Sequence, residues 1–420
     1  MDALPAPSSS TVLQRGAWLV VALLFPVALL NYLDRQVLAS MKNSVMHDIS
    51  DIGTEAHWGM LGAVFKWVYA GLSPIGGYIA DRTNKKRVIL LSLGVWSAVT
   101  WATGHMHSFQ GMMITRGLMG ISEGFYIPAA LSLIADFHRG STRSKAIGIH
   151  QMGIYLGIAL GGYSGYAADS SDNGWRLVFV ICGCVGIGYA ILLAWSLPQP
   201  PAEEGGAGAD SPGKDGVSWW AALAELVKNG SFILLVLYFT LPALAGWVVK
   251  DWMPPILMNT FHLAQGQAGV SATLYVTMAS FVGAYAGGAL ADRWMRVSQR
   301  GRINASALGM VLCIPALLGV GYAPSLGMAI LALVLFGLGW GFYDTNNMPI
   351  LCQIVSPRLR ATGYGLMNLV SISGGAFATW QVGVLRDAGK PAAVIFVLCA
   401  GAAAVAVGLV LLIRPREESR

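Results

Sequence analysis

The stretch "GGYIADRTNKKR" at 76–87 has a near copy in "GGALADRWMRVSQR" at 287–300, and each closes a long apolar run. Asp292 follows Asp81 by 211 positions. Further along, "GFY" at 124–126 returns at 341–343, Arg143 is answered by Arg360 and Gly148 by Gly365, all 217 positions later. A shared offset carried across separate apolar runs is hard to obtain by chance, so the chain reads as one unit built twice.

Outward from these repeats, stretches long enough to cross about 30 Å of hydrocarbon, roughly 20 residues each, fall near 17–40, 58–80, 87–104, 109–137, 143–168, 176–197, 231–258, 267–291, 302–321, 325–352, 360–385 and 391–413. The expected fold is an all-α integral membrane protein of twelve transmembrane helices in two six-helix pseudo-symmetric halves, 1–197 and 231–420. Between them, 198–230 reads as a linker, because "PQPPAEEGGAGADSPGKDG" at 198–216 has too little apolar surface to bury. The "WWAALAELVK" at 219–228 is an amphipathic surface helix or an extension of the seventh span. Composition agrees: of 420 residues 55% are hydrophobic and only 11% charged, where soluble domains carry about 25% charged residues. The first apolar run has no small-residue cleavage site after it and is expected to be a retained helix. Five cysteines, all within apolar runs, read as buried small residues rather than a disulfide or metal framework.

Basic residues set the expected orientation. They cluster after spans two, four, eight and ten (Arg82, Lys85–Arg87, Arg139, Arg143, Arg293, Arg296, Arg300, Arg358, Arg360) and in the linker and tail, whereas the other side holds mainly Lys42, Arg386 and Lys390. The positive-inside rule puts both termini and the linker in the cytoplasm of a cell whose plasma or inner membrane the chain spans many times. This topology accounts for the net charge of +6, so no nucleic-acid partner is inferred. Parallel six-span repeats suit a secondary transporter with its site between the halves near midplane.

Charges inside such spans cost on the order of 2.5–3.5 kcal/mol and call for a partner or a function. The first span ends "NYLDRQ", placing Asp34 and Arg35 in its outer third. Arg116 and Glu123 are seven apart on one face of span four, roughly 10 and 20 Å deep. Asp34 and Arg116 are thus at similar heights: they are either a pair that fixes helix packing or a proton site with its counter-ion. Glu123, nearer midplane and without a neighbouring partner in sequence, is the second candidate for proton coupling. Arg35 has the planar fork that suits a substrate carboxylate, and Lys66 either pairs with a carboxylate or adds positive charge to the cavity. Tyr32, Tyr126 and Tyr155 offer hydroxyls. Lys250 and Asp251 fall near the outer end of span seven and read as a snorkelling or gate pair. Asp344, Asn346 and Asn347 in "GFYDTNNMP" lie on span ten, the repeat mate of span four, beside Pro349, a pattern suited to helix broken toward a cavity. Asn368, Trp380, Gln381, His150 and Gln151 complete the polar candidates, with packing an equal alternative.

These residues carry a resemblance. "GGYIADRTNKKR" is similar to the signature between spans two and three of the major facilitator superfamily: Gly77, Asp81, Arg82, Lys86 and Arg87 match, and Asn84 replaces the usual glycine. The resemblance implies a latch of the outward-facing state in this set, with Arg143, Asp292, Arg293 and Arg360 as further members. A narrower resemblance, in "NYLDR" and in "RGLMGISEGFYIPAALSLIADFHRGSTRSKAIGI" at 116–149, is to the anion:cation symporter branch. It implies proton-coupled symport of small organic anions such as sugar acids by a monomer, with Asp34 and Glu123 as protonation sites and Arg35 at the substrate. Spinster-type transporters share "NYLDR" and the span-four Arg and Glu; they imply export of a lysolipid or other amphiphile through an apolar cavity open to lipid. Neither implies an enzyme, a cofactor or a metal, and H-E-x-x-H and P-loop patterns are absent.

Overall fold

The structure, a computed structural model, describes residues 9–138, 142–198, 219–356 and 359–415, apart from the side chains of residues 9–15, 77, 80, 81, 144, 219, 220 and 361. Most of the linker, Arg139, Arg358 and the side chains of Gly77 and Asp81 therefore lie outside the described residues.

The helices are α1 (Ser9–Ser40), α2 (Lys42–Asp48), α3 (Glu55–Arg82), α4 (Lys85–Thr103), α5 (Phe109–Phe137), α6 (Arg143–Gly162), α7 (Ser164–Ser170), α8 (Gly174–Ser196), α9 (Trp219–Lys228), α10 (Gly230–Phe261), α11 (Gln265–Met295), α12 (Gly301–Gly321), α13 (Leu326–Ile354), α14 (Arg360–Asp387) and α15 (Ala392–Leu412). Polar residues at their starts explain several boundaries. Thr54, Asn84, Ser108, Asn229 and Ser325 each accept a hydrogen bond from an amide of the first turn of α3, α4, α5, α10 and α13, satisfying donors that a helix leaves open. Asn84, the departure from the family signature, thus has a structural use at α4.

Among the described residues, eight helices are both long and apolar enough to cross a membrane: α1, α5, α8, α10, α11, α12, α13 and α15. The chain is a multi-pass membrane protein. Helices α3, α4, α6 and α14 are long but less apolar. Of these, α3, α6 and α14 run along the seam between the helices before α9 and those after it, where a helix meets protein rather than lipid on more of its surface. The expected span at 143–168 is two helices, broken at Tyr163 between α6 and α7.

The packing scheme repeats. In the first group, α1 packs on α6, α3 on α5, and α4 on α5 and α8; in the second, α10 packs on α14, α11 on α13, and α12 on α13 and α15. The groups meet through α3 with α14 and through α6 and α7 with α11. The second contact is close at Gly162 and Gly269, where a Cβ built on Gly269 would run into the Gly162 carbonyl oxygen; only glycine lets the two backbones approach this far. Helix alternation puts the ends of α3, α5, α11 and α13 and the starts of α4, α6, α12 and α14 on one face, called the basic face below.

Candidate functional site

Arg35 extends from α1 toward α5, where its Nε donates to Glu123 Oε2 at 2.6 Å. The arginine side chain is 11% exposed and the glutamate 0%. The guanidinium also lies 4.5 Å from the Tyr32 ring, 5.0 Å from Phe65 and 4.7 Å from Tyr69, a desolvated setting in which cation–π attraction is strongest. Asp34, a helix position earlier and so about 100° around α1, turns to α4 instead and accepts from Thr100 Oγ1 at 3.1 Å. Its other oxygen has no hydrogen-bond partner. Arg116 Nη1 reaches Met119 Sδ at 3.5 Å and its guanidinium lies 5.8 Å from the Phe179 ring, while its Nε and Nη2 have no hydrogen-bond partner among the described residues. The pair that forms is thus Arg35 with Glu123, not Asp34 with Arg116: similar height is not enough when the two side chains leave their helices in different directions.

A second charged knot joins the groups. Lys66 of α3 forms an ion pair with Asp251 of α10, its Nζ also donates to Thr379 Oγ1 of α14 at 2.8 Å, and Thr379 donates to Asp251 Oδ2 at 2.7 Å. Asp251 is ten residues short of the end of α10, about 15 Å inside it. That is a correction to the reading of Lys250 and Asp251 as an outer-end pair; α10 continues three residues beyond the expected span, to Phe261. Lys250 faces a cavity lined by side chains of α1, α6, α10, α11 and α13, including Gln36, Tyr155, Ile158, Val276, Phe336 and Trp340.

The other candidates scatter. Tyr126 is buried in the first group, its hydroxyl against Leu24 O at 3.3 Å and His150 Nε2 at 2.9 Å, which gives it a packing role and takes His150 with it. Tyr155 lines the cavity and Gln151 is exposed a turn away. Asp344 is exposed on α13, while Asn346 is buried and donates to the Phe342 carbonyl of its own helix at 2.8 Å; Asn347 is buried too. The polar run does not break α13, which continues through Pro349 to Ile354. Asn368 and Gln381, both half-buried on α14, lie about 20 Å apart along it, too far for one small ligand, and Trp380 meets Phe377 edge-on. The "GISEG" at 120–124 has the spacing of a hydrolase nucleophile elbow, but Ser122 sits inside α5 with its hydroxyl donated to the Met119 carbonyl at 3.0 Å.

On the face opposite the basic one, hydrogen bonds and ion pairs tie the groups together: Gln36 to the Lys250 carbonyl, Gln265 to Ser44 and Asp169, and Arg386 and Asp387 to Glu55. On the basic face no such bond crosses between the groups among the described residues. There Arg82 stacks on its own helix's Tyr78 at 3.8 Å, Arg360 donates to the Cys352 carbonyl at 3.0 Å, and Arg87, Arg143, Asp292 and Arg293 are exposed. The described members of the expected latch are therefore not joined across the groups. Sequence reasoning missed Phe65, Tyr69 and Thr379 and gave Asp251 another partner; the i, i+4 spacing of Phe65 and Tyr69 around Lys66 was the available sign of an aromatic wall.

The chain belongs to the major facilitator superfamily, whose family model matches residues 24–379. It is a transporter of that superfamily and not an enzyme. Among its relatives is Protein spinster homolog 1 of Xenopus tropicalis, 27% identical over 390 residues, which span 88% of this chain and 72% of that one. The homolog from Homo sapiens is 31% identical over 244 residues, 58% of this chain and 46% of that protein. A crystal structure of a bacterial homolog to the human lysosomal transporter Spinster, in an inward-facing and unoccupied conformation, superposes with a TM-score of 0.76 at 23% identity over 95% of both chains. The nucleoside transporter NupG gives 0.75 at 11% identity over 94% of this chain and 99% of that one. At these identities the structures speak for the fold alone. The sequence relatives favour the spinster alternative over the anion:cation symporter branch.

Proposed function

We propose that this chain is a proton-coupled secondary transporter of amphiphiles such as lysolipids, working by rocking of two six-helix halves that together span the membrane twelve times. The termini lie in the cytoplasm, so the basic face is the inner one. The observation that carries the substrate class is the cavity between α6 and α11: aliphatic and aromatic side chains such as Ile158, Val276 and Phe336 make one part of its walls and polar ones such as Gln36, Lys250 and Thr277 another, as suits a ligand with a long apolar part and a small head. The polar residues of α13 and α14 expected to serve a small sugar acid do not gather at one point: Asn346 bonds to its own helix, Asn347 is buried without a partner among the described residues, and Asn368 and Gln381 are separated along α14.

Proton coupling is assigned to Glu123 and Asp34. While Glu123 is ionised it holds Arg35; a proton on it removes the charge and releases the guanidinium, changing what links α1 to α5 as access alternates. Asp34, bonded to Thr100 on α4, is the second carboxylate. The full-length protein in proteoliposomes, assayed for flux of a labelled lysolipid under an imposed pH gradient, tests this. Glu123→Gln is expected to abolish acceleration by the gradient while leaving exchange of substrate for substrate. Unchanged gradient-driven flux in that variant rejects the coupling residue; faster exchange of a sugar acid than of any lysolipid in the unmodified protein rejects the substrate class.

A further inference from the structure

We infer that Lys250 is the anchor for the substrate's anionic headgroup and the residue that sets selection for anionic over neutral amphiphiles. This rests on the amphiphile reading above and concerns a residue that sequence reasoning had set aside as a gate. Of the cationic groups around the cavity, Arg35 is held by Glu123 and Lys66 by Asp251 and Thr379. The Lys250 ammonium has neither an ion pair nor a hydrogen bond among the described residues. It stands 5.1 Å from the ring of Trp247 and 5.9 Å from that of Trp340, on the wall of the cavity. Two carboxylates, Asp344 and Asp251, are near enough to act on it through space without touching it. An ammonium inside a membrane domain calls for an anion, and here the protein supplies none in contact. A lysine is also suited to a phosphate, which it meets as a point charge, where the arginine fork favours planar carboxylates.

The wall facing it completes the match. Thr273, Thr277 and Ser280 stand on one face of α11 at the spacing of successive turns and line the cavity. Thr273 donates to the Gly269 carbonyl at 2.9 Å. Thr277 and Ser280 are 5% and 3% exposed, and among the described residues their hydroxyls bond to nothing. They are placed to take hydroxyl or ester oxygens next to a charged head. Ile158 of α6 and Phe336 of α13 provide apolar surface beyond them. The Gly162–Gly269 contact closes the α6–α11 seam on the side away from the basic face, so the path for an acyl chain out of the cavity runs toward the basic face. The ligand class this describes is a single-chain amphiphile with a phosphate head and a hydroxyl near it.

Equilibrium binding to the full-length protein in nanodiscs separates the parts, with an oleoyl lysophosphatidate, chain-matched monoolein and glycerol phosphate as probes. The unmodified protein is expected to bind lysophosphatidate at least tenfold more tightly than either other probe. Lys250→Gln is expected to lose that tenfold preference over monoolein, with monoolein binding unchanged; Lys250→Arg keeps most of it, which controls for folding. Thr277→Val with Ser280→Ala weakens both lipids. An undiminished headgroup preference in Lys250→Gln overturns the assignment, and so does equal affinity for glycerol phosphate and lysophosphatidate, which marks a site for free phosphate. Counterflow of lysophosphatidate in proteoliposomes keeps the two proposals apart. Exchange that Lys250→Gln leaves unaltered overturns this inference and supports the transport reading, whereas Lys250-dependent binding with no exchange supports the inference and rejects that reading.

Discussion

Replacing Asp251 by asparagine removes the carboxylate that ties α10 to α3 below the closed face. Lys66 is 3% exposed and Asp251 25%, so the change strands an ammonium in protein. Breaking a buried pair from one side costs about 3–5 kcal/mol. The lower figure applies, because Asp251 is partly hydrated already and Lys66 keeps Thr379 at 2.8 Å and the Trp247 ring at 4.7 Å. The loss falls on the conformation seen here, since parting of the groups lets both charges hydrate. At 1.4 kcal/mol per decade, about 3 kcal/mol shifts the balance roughly 150-fold toward opening of that face. Hydrogen exchange reads this directly: the Glu55 and Ala56 amides donate to Asp387 across the seam at 2.9 and 2.8 Å and exchange when the face opens. Asp251→Asn should speed both by about two decades. Lys66→Met with Asp251→Leu should restore protection, because replacing both members of a buried pair by apolar groups is often neutral or stabilising. Unchanged exchange in the single variant, or a double variant less protected than the single, refutes the reasoning.

Two further outcomes follow from local geometry. Glu123→Ala leaves the Arg35 guanidinium without its acceptor and should lower stability by about 3–5 kcal/mol, clearly more than Glu123→Gln, which retains a carbonyl oxygen for the same N–H; equal melting temperatures for the two would show that the 2.6 Å bond contributes nothing. Asn84→Ala removes the acceptor for the Arg87 amide at the start of α4 and should cost about 1 kcal/mol, whereas Asn84→Gly should cost only a few tenths; thermal unfolding of the purified protein ranks them, and a reversed order sinks the capping role.

The helices were legible because each apolar run is long and bounded by polar or basic residues. The expected 109–137 is α5 to the residue, and most other spans differ by a few positions, as where the Thr54 cap adds a turn to α3, while α1 begins eight residues before its expected start. Tyr163 was not read as a break although Gly161, Gly162 and Gly165 flank it, because glycines are frequent inside membrane helices, where they serve close packing. Lys42–Asp48 was missed as a helix because α2 is too short for a periodic signal. At the site, the identities of the charged residues were readable and their partners were not. Arg35 and Glu123 are 88 positions apart, Lys66 and Asp251 185. Which charge meets which depends on the rotation of each helix about its axis, and a span that is apolar nearly all round carries almost no periodicity from which to fix it.

The repeat that decided the fold also explains how the closed face is clamped. Asp387, at the end of α14, accepts from the first amides of α3; Asp169, in α7, accepts from the Gly266 amide at 2.9 Å and the Gln265 amide at 3.3 Å, the first of α11. Each group gives one carboxylate to the other and receives one. Gln265 follows Glu55 by 210 positions and Asp387 follows Asp169 by 218, each within one residue of the offsets at 76–87 and 124–148. The same α3-to-α11 correspondence that repeats the family signature therefore repeats the clamp. The receiving positions differ in side chain, Glu55 against Gln265 and Ala56 against Gly266, and the bond tolerates this because it is made to backbone amides at the positive end of a helix. Such contacts at exposed positions contribute about 0.3–1 kcal/mol each, well below the 3 kcal/mol or so of the buried Lys66 pair. Rocking the groups apart has to break both clamps, one on each side of the seam, so they fix the register in which the face closes, while the knot of Lys66, Asp251 and Thr379 beneath them holds it shut.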